Sequence, residues 1–433
     1  MEEQRSYFWS GRPWIWMMVL AWLLRAWFIV HWSVYGNVEA NHFAFGIETG
    51  SIGNSIYSGE GFSSPFEYAT GPTAWVAPGY PYLIALAFKI FGPYSLGAWN
   101  FMLFLNSAFA AATCIPLYRL GNALGSYRSG LWAGWIWAAG LPFFPYAIWW
   151  VWEVAISAFL ITYLLWFAIV LAREPSLKRW SWFAVVWGLG SLTNPAILSV
   201  APVLIGWPLL RNMKAGSDWK RPLVIFCLIV AIFVGPWMVR NYEVFGQPVF
   251  LRGNFWFEFW LGNSPMKLGF EEAWKHPTLN PEEMREYVRL GEVQYVKSKR
   301  EAALAWVKSD LAGFAELTAK RVWQYWMGGK PVYGKNTPPW KSPNLVYPAL
   351  SILAWCGVVL AWRRKREIGW PMLGVMLLYP TVYYLTYANP RYRHPLEPML
   401  ILLATYFVCE ARAGNKSKSD ISSSTNATSA AVS

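Results

Sequence analysis

The chain of 433 residues is 55% hydrophobic and only 14% charged, which is typical of a polytopic membrane protein and excludes an ordinary soluble domain. Its formal net charge of +13 could suggest nucleic acid, but the basic residues mostly form short clusters between apolar segments. That pattern indicates membrane orientation, so nucleic acid is excluded as a partner. The four cysteines lie in apolar runs without metal-ligand spacing and predict no disulfide framework.

A helix needs about 20 residues to cross the hydrocarbon core of a bilayer. The first apolar segment is too long and too rich in Trp to be a cleaved signal peptide, so we expect it to be a retained span. The candidate spans are 14–33, 96–118, 129–149, 151–172, 180–193, 195–210, 222–239, 346–362, 368–387 and 394–410.

An ambiguous eleventh segment, 77–92, decides the topology. If it crossed the membrane, the later basic loops would change side, whereas an interfacial position leaves all of them on one side. We therefore predict that it does not cross. The amino terminus, the "RRKR" loop at 363–366 and the carboxyl tail are then cytoplasmic, in the plasma (inner) membrane.

These assignments predict an all-α integral membrane protein of about 10–11 transmembrane helices, with an interfacial first outer loop and an outer helical cap. Within the cap, Asn280 and Pro281 form a helix start signal that is followed by carboxylates. The Ser-rich tail has the composition of a disordered segment. The predicted divisions are 1–239 with the outer loop 34–95, the cap 240–341, the C-terminal helices 342–410 and the tail 411–433.

Glu48 is the first candidate site residue, in the stretch "FGIETG" of the outer loop. If this stretch is helical, Ile47, Ile52 and Ile56 share one face, and the segment would lie along the membrane surface with its carboxylate toward the protein. A solvated surface carboxylate is the alternative. The position beside the membrane, in a loop poor in charge, favours a catalytic or substrate-binding role.

Glu153 lies at a second outer corner, between two spans, where its neighbours are aromatic and aliphatic. An unpaired buried carboxylate costs several kcal/mol or is forced to protonate, so we expect it to face a polar cavity or a cation. A structural pair with Arg25 of the first span is the alternative. Asn194, before Pro195 at another outer corner, is a possible substrate-binding residue.

Arg391, Arg393 and His394 form the third group, in the stretch "YANPRYRHPLEPML". Arginine at this depth suits a phosphate, because the planar guanidinium can bind two phosphate oxygens at once. Snorkelling of the side chains to the membrane interface is the alternative. Lys89, another basic residue on the outer side, is a weaker candidate for the same role.

The chain resembles the GT-C glycosyltransferases over most of residues 10–410. The resemblance is carried by an acidic residue soon after the first span, by "SGEGFSSPF" and "GPTAWVAPGYPYLIALAFKIFG", by "WEVAISAFL" and by "RYRHPLEP". The nearest branch includes bacterial protein O-mannosyltransferases and lipid A aminoarabinose transferases. The resemblance implies a GT-C bundle that transfers a sugar from a polyprenyl phosphate to a lipid, glycan or protein acceptor on the non-cytoplasmic side.

The family often has an Asp-Glu pair in the first outer loop, whereas this chain has Glu48 alone. Its second acidic position matches Glu153. Some relatives have a Lys before the proline that opens the next segment; here Val76-Ala77-Pro78 stands there, which leaves Lys89 or the arginines for that role.

Sugar transfer needs a base for the acceptor hydroxyl and cations for the departing phosphate. We assign Glu48 as the base and Arg391 and Arg393 as the main phosphate ligands. Without a Gly-rich phosphate loop or an Asp-x-Asp motif, no soluble cofactor is expected; a divalent cation bridging Glu48 and Glu153 is possible. A transporter or flippase of lipid-linked sugars and a non-catalytic cell-envelope subunit stay open, although we find no internal repeat of the transporter kind.

Overall fold

The computed structural model describes residues 12–33, 42–328 and 345–411. Every regular element in these ranges is helical, and one isolated bridge joins Ser63 to Pro72. The all-α prediction is therefore confirmed. Apart from its first residue, the predicted tail 411–433 lies outside these ranges.

The chain forms twenty labelled α-helices within the described ranges. Short 3-10 turns cover His42–Phe45, Leu141–Phe143, Pro195–Val200, Ala273–Lys275 and His394–Leu396, and a π turn covers Pro202–Gly206. The α-helices are α1 (Pro13–Ser33), α2 (Ile47–Tyr57), α3 (Gly79–Phe91), α4 (Leu96–Ala112), α5 (Cys114–Ala123), α6 (Tyr127–Ala139), α7 (Pro145–Ile148), α8 (Val154–Arg173), α9 (Leu177–Thr193), α10 (Trp207–Lys214), α11 (Lys220–Phe245), α12 (Phe255–Gly262), α13 (Pro281–Leu290), α14 (Glu292–Ser309), α15 (Leu311–Met327), α16 (Val346–Arg364), α17 (Arg366–Leu378), α18 (Thr381–Leu385), α19 (Pro390–Arg393) and α20 (397–411).

Six helical segments of the described chain are long and apolar enough to cross a membrane, so this is an integral membrane protein. Other expected spans are divided into shorter helices, because proline cannot continue a helix without losing a hydrogen bond. Pro142 and Pro145 divide 129–149, and 195–210, which contains Pro202 and Pro208, is divided into a 3-10 turn, a π turn and the start of α10. The six are Pro13–His31, Leu96–Ala123, Val154–Arg173, Lys220–Phe245, Val346–Arg364 and Arg366–Leu385.

Helix α8 is the centre of the bundle. It is apolar on all faces, which is the pattern of a helix buried on every side, and it packs against α4, α5, α9 and α10. The turn His394–Leu396 packs against α8 as well. Glu153 immediately precedes α8, so the packing of this helix fixes where Glu153 lies.

The basic loops meet at the other end of α8. Asn212 donates to the carbonyl of Leu171, near the last turn of that helix. At the same end Arg211 pairs with Glu367 at 2.7 Å. A second ion pair, between Arg364 and Glu410, joins the ends of α16 and α20 at 2.7 Å. The loops that the sequence predicts to be cytoplasmic thus contact one another at the end of the bundle far from Glu153.

Helix α3 has 13 residues, which at 1.5 Å per residue span about 20 Å, less than the roughly 30 Å hydrocarbon core. It packs closely on α2: a Cβ at Gly53 would lie 2.7 Å from Cγ2 of Ile84, so only glycine fits this contact. Helix α3 alone is thus shorter than a span, and the non-crossing of 77–92 stays a prediction. The predicted helix through Glu48 is confirmed. The expected isoleucine face toward the membrane is wrong for Ile52, which is fully buried in a core of the protein.

Helices α12 to α15 form the described part of the cap. The predicted start at Asn280 is confirmed, since its side chain accepts from the backbone N–H groups of Glu282 and Glu283. Aromatic residues from the cap and the first outer loop share one core. Phe66 and Trp75 of the loop pack there with Phe257, Tyr287 and Tyr295 of the cap.

Buried polar contacts attach the cap to the rest of the protein. The carboxylate of Glu292 accepts from the hydroxyl of Thr73, from the N–H of Ala74 at 2.8 Å and from the hydroxyl of Tyr287 at 3.0 Å. Because removing one partner of a buried group leaves the other unsatisfied, these contacts hold the outer loop and the cap together.

Candidate active site

Glu48 lies in the first turn of α2, where a negative charge interacts favourably with the helix dipole. Gly46 starts the helix with φ of 77°, a left-handed conformation that favours glycine. One carboxylate oxygen of Glu48 lies 3.2 Å from Nε2 of His276, a cap residue. The first outer loop and the cap therefore meet at this carboxylate.

The other ring nitrogen of His276 determines the tautomer. Nδ1 lies 3.3 Å from the backbone nitrogen of Thr278, which can only donate a hydrogen bond. In the neutral ring Nδ1 accepts this bond and the proton is on Nε2, and in the charged ring both nitrogens carry protons, so in either state Nε2 donates to Glu48. The backbone of the 276–278 turn thus orients the imidazole toward the carboxylate.

Burial alone would raise the pKa of Glu48, because it disfavours the charged form. The hydrogen bond and charge of His276, a backbone hydrogen bond at Glu48 and the charge of Arg391 act in the opposite direction and together lower its pKa to about 2. Glu48 is therefore ionised at neutral pH.

Arg391 lines the same cavity as Glu48, a space of about 280 Å³. Asn389 caps the short helix that carries it, by accepting from the Arg391 N–H at 3.1 Å. The guanidinium lies over the ring of Trp152, 4.9 Å from its centroid, and donates to the hydroxyl of Tyr392 at 2.8 Å. Within the described chain Arg391 makes no salt bridge, and its Nε is buried without a partner. It is a cation available to an anionic ligand.

A second cavity of about 370 Å³ adjoins the first. Glu153 and Asn194 line the second cavity, whereas Glu258 and Tyr387 line both. The sequence-predicted residues Glu48, Arg391, Glu153 and Asn194 thus lie around two neighbouring cavities. The other residues around the first are Gly46, Ile47, Trp150, Trp152, Leu261, Glu271, Ala273, His276, Leu279 and Asn389.

Glu258 is a site residue that the sequence reasoning missed. It accepts from Asn254 at 2.8 Å and Arg252 at 3.3 Å on one oxygen, and from the hydroxyl of Tyr387 at 2.8 Å on the other. Burial raises its pKa, the charge of Arg252 opposes this, and the charge of Glu48 adds to the rise. Two neighbouring carboxylates with pKa values shifted in opposite directions are typical of a catalytic site.

Signals for the missed residues were present in the sequence. Glu258 is the lone carboxylate of the aromatic run "FWFEFWLG", and His276 is one of only four histidines in the chain. Both belong to the cap, however, and sequence alone does not specify which cap residues reach the first outer loop.

Arg393 and His394 line neither cavity. Arg393 is buried and donates to the carbonyls of Trp326 and Tyr347, while His394 pairs with Glu397 at 2.7 Å in the interior. Lys89 is exposed in the last turn of α3. Phosphate binding by these three stays a prediction without a supporting contact.

Arg25 does not pair with Glu153. Its guanidinium donates to the carbonyls of Ala21, Trp137 and Ala138 inside the bundle. The structural alternative for Glu153 therefore finds no support, and its carboxylate remains available to the cavity.

The structure gives no contact that supports a divalent cation between Glu48 and Glu153. No three His, Cys, Asp or Glu side chains in this part of the chain come together as a metal site requires. Both oxygens of Glu258 already accept hydrogen bonds from protein groups. We derive no step through a metal, and the bridging cation stays a prediction.

No protein-family model matches the chain, and no curated protein matches it significantly in sequence. Solved structures do match. The oligosaccharyltransferase AglB from Archaeoglobus fulgidus, in complex with an inhibitory peptide and a dolichol-phosphate, superimposes with a TM-score of 0.54 at 14% identity, over 96% of this chain and 52% of AglB. An Archaeoglobus fulgidus oligosaccharyltransferase tethered to an acceptor peptide by a disulfide bond gives a TM-score of 0.53 at 14% identity, over 92% of this chain and 50% of that one.

In a further structure, with Zn and sulfate, the Archaeoglobus fulgidus enzyme gives a TM-score of 0.52 at 13% identity, over 91% of this chain and 48% of that one. The chain thus spans about half the length of these structures. AglB is a member of the GT-C superfamily. These similarities establish that the chain has the GT-C fold, as the sequence predicted.

Proposed function

We propose that this chain is a membrane glycosyltransferase that moves a sugar from a polyprenyl-phosphate donor to a lipid, glycan or protein acceptor on the non-cytoplasmic side. The observation that carries the proposal is the cavity in which the ionised carboxylate of Glu48 faces the same space as the guanidinium of Arg391, which makes no salt bridge with any described residue. On a GT-C fold, this pair supplies one group for the acceptor and one for the donor phosphate.

In the proposed reaction, the acceptor oxygen forms a bond to the anomeric carbon as the bond from that carbon to the phosphate oxygen breaks. The bonding electrons leave with the lipid phosphate, and the acceptor proton passes to Glu48. A carboxylate with a pKa of about 2 is a weak base for a free hydroxyl. Glu48 therefore orients the hydroxyl first and takes its proton late, when bonding to carbon has made the oxygen acidic.

Arg391 binds the donor phosphate and stabilises the charge that develops on it. A fixed guanidinium stabilises such charge more strongly in a cavity that excludes water than in bulk solvent. The contacts with Trp152 and Tyr392 hold Arg391 in place before the substrate binds. His276 positions Glu48, while Glu153 acts from the adjoining cavity.

The proposed orientation puts these cavities outside and the basic loops in the cytoplasm of the plasma membrane. Its support is that the basic loops meet at one end of the bundle, where Arg211 pairs with Glu367 and Arg364 with Glu410, together with the 13-residue length of α3. The amino terminus and the tail are then both cytoplasmic.

The test uses purified full-length protein and radiolabelled undecaprenyl-phosphate sugars. A glycosyltransferase releases free undecaprenyl phosphate only when an acceptor is present, and Glu48→Gln abolishes that release. Sugar lipid that crosses a proteoliposome membrane without release would indicate a transporter. Neither release nor transport with any sugar or acceptor tried would contradict the proposal and favour a non-catalytic subunit.

A further inference from the structure

The second cavity has a wall of tyrosine rings. Four tyrosines line it: Tyr379, Tyr383, Tyr387 and Tyr392. The rings of Tyr383 and Tyr392 stack with centroids 4.3 Å apart and an angle of 11° between their planes. This arrangement places a continuous aromatic surface beside the cavity.

Hydrogen bonds fix these rings. The hydroxyl of Tyr387 donates to Glu258 at 2.8 Å and lies 3.0 Å from the hydroxyl of Tyr392. The hydroxyls of Tyr379 and Tyr383 lie 3.3 Å apart. Because the rings are held before any ligand binds, a ligand that stacks on them does not have to order them first.

The polar side chains that line this cavity differ in whether they already have hydrogen-bond partners. Asn194 is occupied, since it donates to the hydroxyl of Ser157 at 2.9 Å and accepts from the N–H of Ala196 at 3.0 Å. The backbone carbonyl of Glu153 accepts from the hydroxyl of Ser157 at 2.9 Å, whereas its side-chain carboxylate makes no hydrogen bond or ion pair with any described residue. Its carboxylate interacts electrostatically with Tyr383, which places a free acceptor next to the ring wall.

A sugar ring combines an apolar face of C–H groups with a rim of hydroxyl donors. An aromatic wall with a single free carboxylate complements both, as in small-molecule pockets where a few polar groups fix the orientation of the ligand. From this match we infer that the tyrosine cavity is the subsite for the transferred sugar, and that it takes one sugar ring, with Glu153 accepting from a ring hydroxyl.

The volume of the cavity accommodates one sugar ring. About 370 Å³ lies near the lower limit of small-molecule pockets, which is about 300 Å³. Glu258 and Tyr387 line both this space and the cavity of Glu48 and Arg391, so the two cavities adjoin at these residues. A sugar in the tyrosine cavity therefore lies next to the groups that act on it.

This inference rests on the proposed function for the donor, yet it can be tested without turnover. The full-length protein in nanodiscs is titrated, without acceptor, with undecaprenyl phosphate and with undecaprenyl phosphate bearing one glucose, mannose, galactose or arabinose. Dissociation constants are measured for the wild type, Tyr383→Leu, Tyr383→Phe and Glu153→Gln. Tyr68→Leu, at an exposed tyrosine of the outer loop, is the matched control.

At least one sugar lipid should bind wild-type protein more tightly than undecaprenyl phosphate does. Tyr383→Leu and Glu153→Gln should each weaken binding of that sugar lipid about 10-fold while changing the affinity for undecaprenyl phosphate less than about 3-fold. Tyr383→Phe, which keeps the ring, and Tyr68→Leu should bind as the wild type does. If Tyr383→Leu does not fold, Glu153→Gln decides.

Equal losses for both lipids, or no preference for any sugar lipid, would overturn the subsite. Tighter binding of a disaccharide-bearing lipid than of its monosaccharide counterpart would overturn the restriction to one ring. Failure of the proposed function gives a different result, because sugar-dependent binding would persist without acceptor-dependent release of undecaprenyl phosphate.

Discussion

The carboxylate of Glu48 lies 3.2 Å from Nε2 of His276, although 228 residues separate the two in sequence. One residue belongs to the first outer loop and the other to the cap. The candidate site is therefore complete only when the cap is folded onto the loop, and the ionisation of Glu48 depends on that contact.

Glu48→Gln should lower turnover by two or more orders of magnitude while leaving donor affinity nearly unchanged. Glutamine keeps the size of the side chain but cannot accept the acceptor proton, and loss of a general base costs roughly 10²- to 10⁴-fold. Single-turnover release of labelled undecaprenyl phosphate measures the effect, with the exposed Glu60→Gln as control. Near-normal turnover in Glu48→Gln together with an inactive Glu153→Gln would exchange the roles of the two carboxylates.

His276→Gln should move the acidic limb of the pH–rate profile to higher pH. In the wild type, Glu48 titrates near pH 2, so it contributes no limb between pH 4 and pH 8. Without His276, burial still raises the pKa of Glu48 and less opposes it, so protonation begins at a higher pH. A profile of kcat from pH 4 to pH 8 measures the shift; identical limbs in both proteins would mean that Glu48 does not control the rate.

The same contact affects stability. Because folding depresses the pKa of Glu48 from 4.5 to about 2, its contribution to stability is fully present above about pH 4.5 and is lost as the pH falls toward 2. On acidification through this window, the thermal stability measured in detergent should therefore fall further in the wild type than in His276→Gln. An equal loss in the two proteins would contradict the coupling.

Arg391→Ala should weaken donor binding and slow the departure of phosphate. Arg391→Lys should restore only part of the donor affinity and of the rate, because an ammonium cannot make the bidentate contact. Arg393→Ala is the comparison, since Arg393 donates to two buried carbonyls and lines neither cavity. It should lower thermal stability with donor affinity retained. The reverse result, with donor affinity lost only in Arg393→Ala, would return the phosphate site to Arg393 as the sequence first suggested.

Thr73→Val should destabilise the attachment of the cap by about 1–3 kcal/mol, because it removes a hydroxyl donor from the buried Glu292 carboxylate. Thr73→Ser, which keeps the hydroxyl, should lose less stability than Thr73→Val. Limited proteolysis of the cap and thermal unfolding measure the two variants. Equal behaviour of Val and Ser would show that the hydroxyl contributes little.

Orientation can be tested by labelling single cysteines in a background without the four native ones. Cysteines at Arg128 and Arg364 should react only after the cytoplasmic side is opened, whereas one at Glu60 should react from outside. External labelling at Arg128 or Arg364 would contradict the predicted non-crossing of 77–92.

Sequence patterns predicted the features that depend on local chemistry. The apolar run 151–172 predicted a span, and Asn280 with Pro281 predicted a helix start, because hydrophobic pattern and capping act over a few residues. The alternative pairing of Glu153 with Arg25 is wrong, because it depends on tertiary contacts and not on local chemistry. The depth of Arg25 in its span was readable, but its nearest acceptors are backbone carbonyls of α6, which a sequence does not reveal.

The cap residues at the site could not be predicted for a related reason. Glu258 and His276 reach the cavities through tertiary contacts of the cap, and such contacts depend on how separate helices pack. Arg391 and Arg393 show the same limit at closer range. They are two residues apart in the same motif, yet only Arg391 lines a cavity, because the short helix α19 directs Arg393 into the interior.

Arg321 of the cap makes a set of contacts that restricts how substrates can enter. Its guanidinium donates to the carbonyls of Gly262 and Leu385 and to the side chain of Asn263, and so joins α15, the end of α12 and the end of α18. Lifting the cap away from α18 would leave several of these buried groups unsatisfied. We therefore expect α12 and α18 to move as one body and the lipid donor to enter sideways from the bilayer, past the exposed rings of Phe250 and Phe255, with no large opening of the cap in each catalytic cycle.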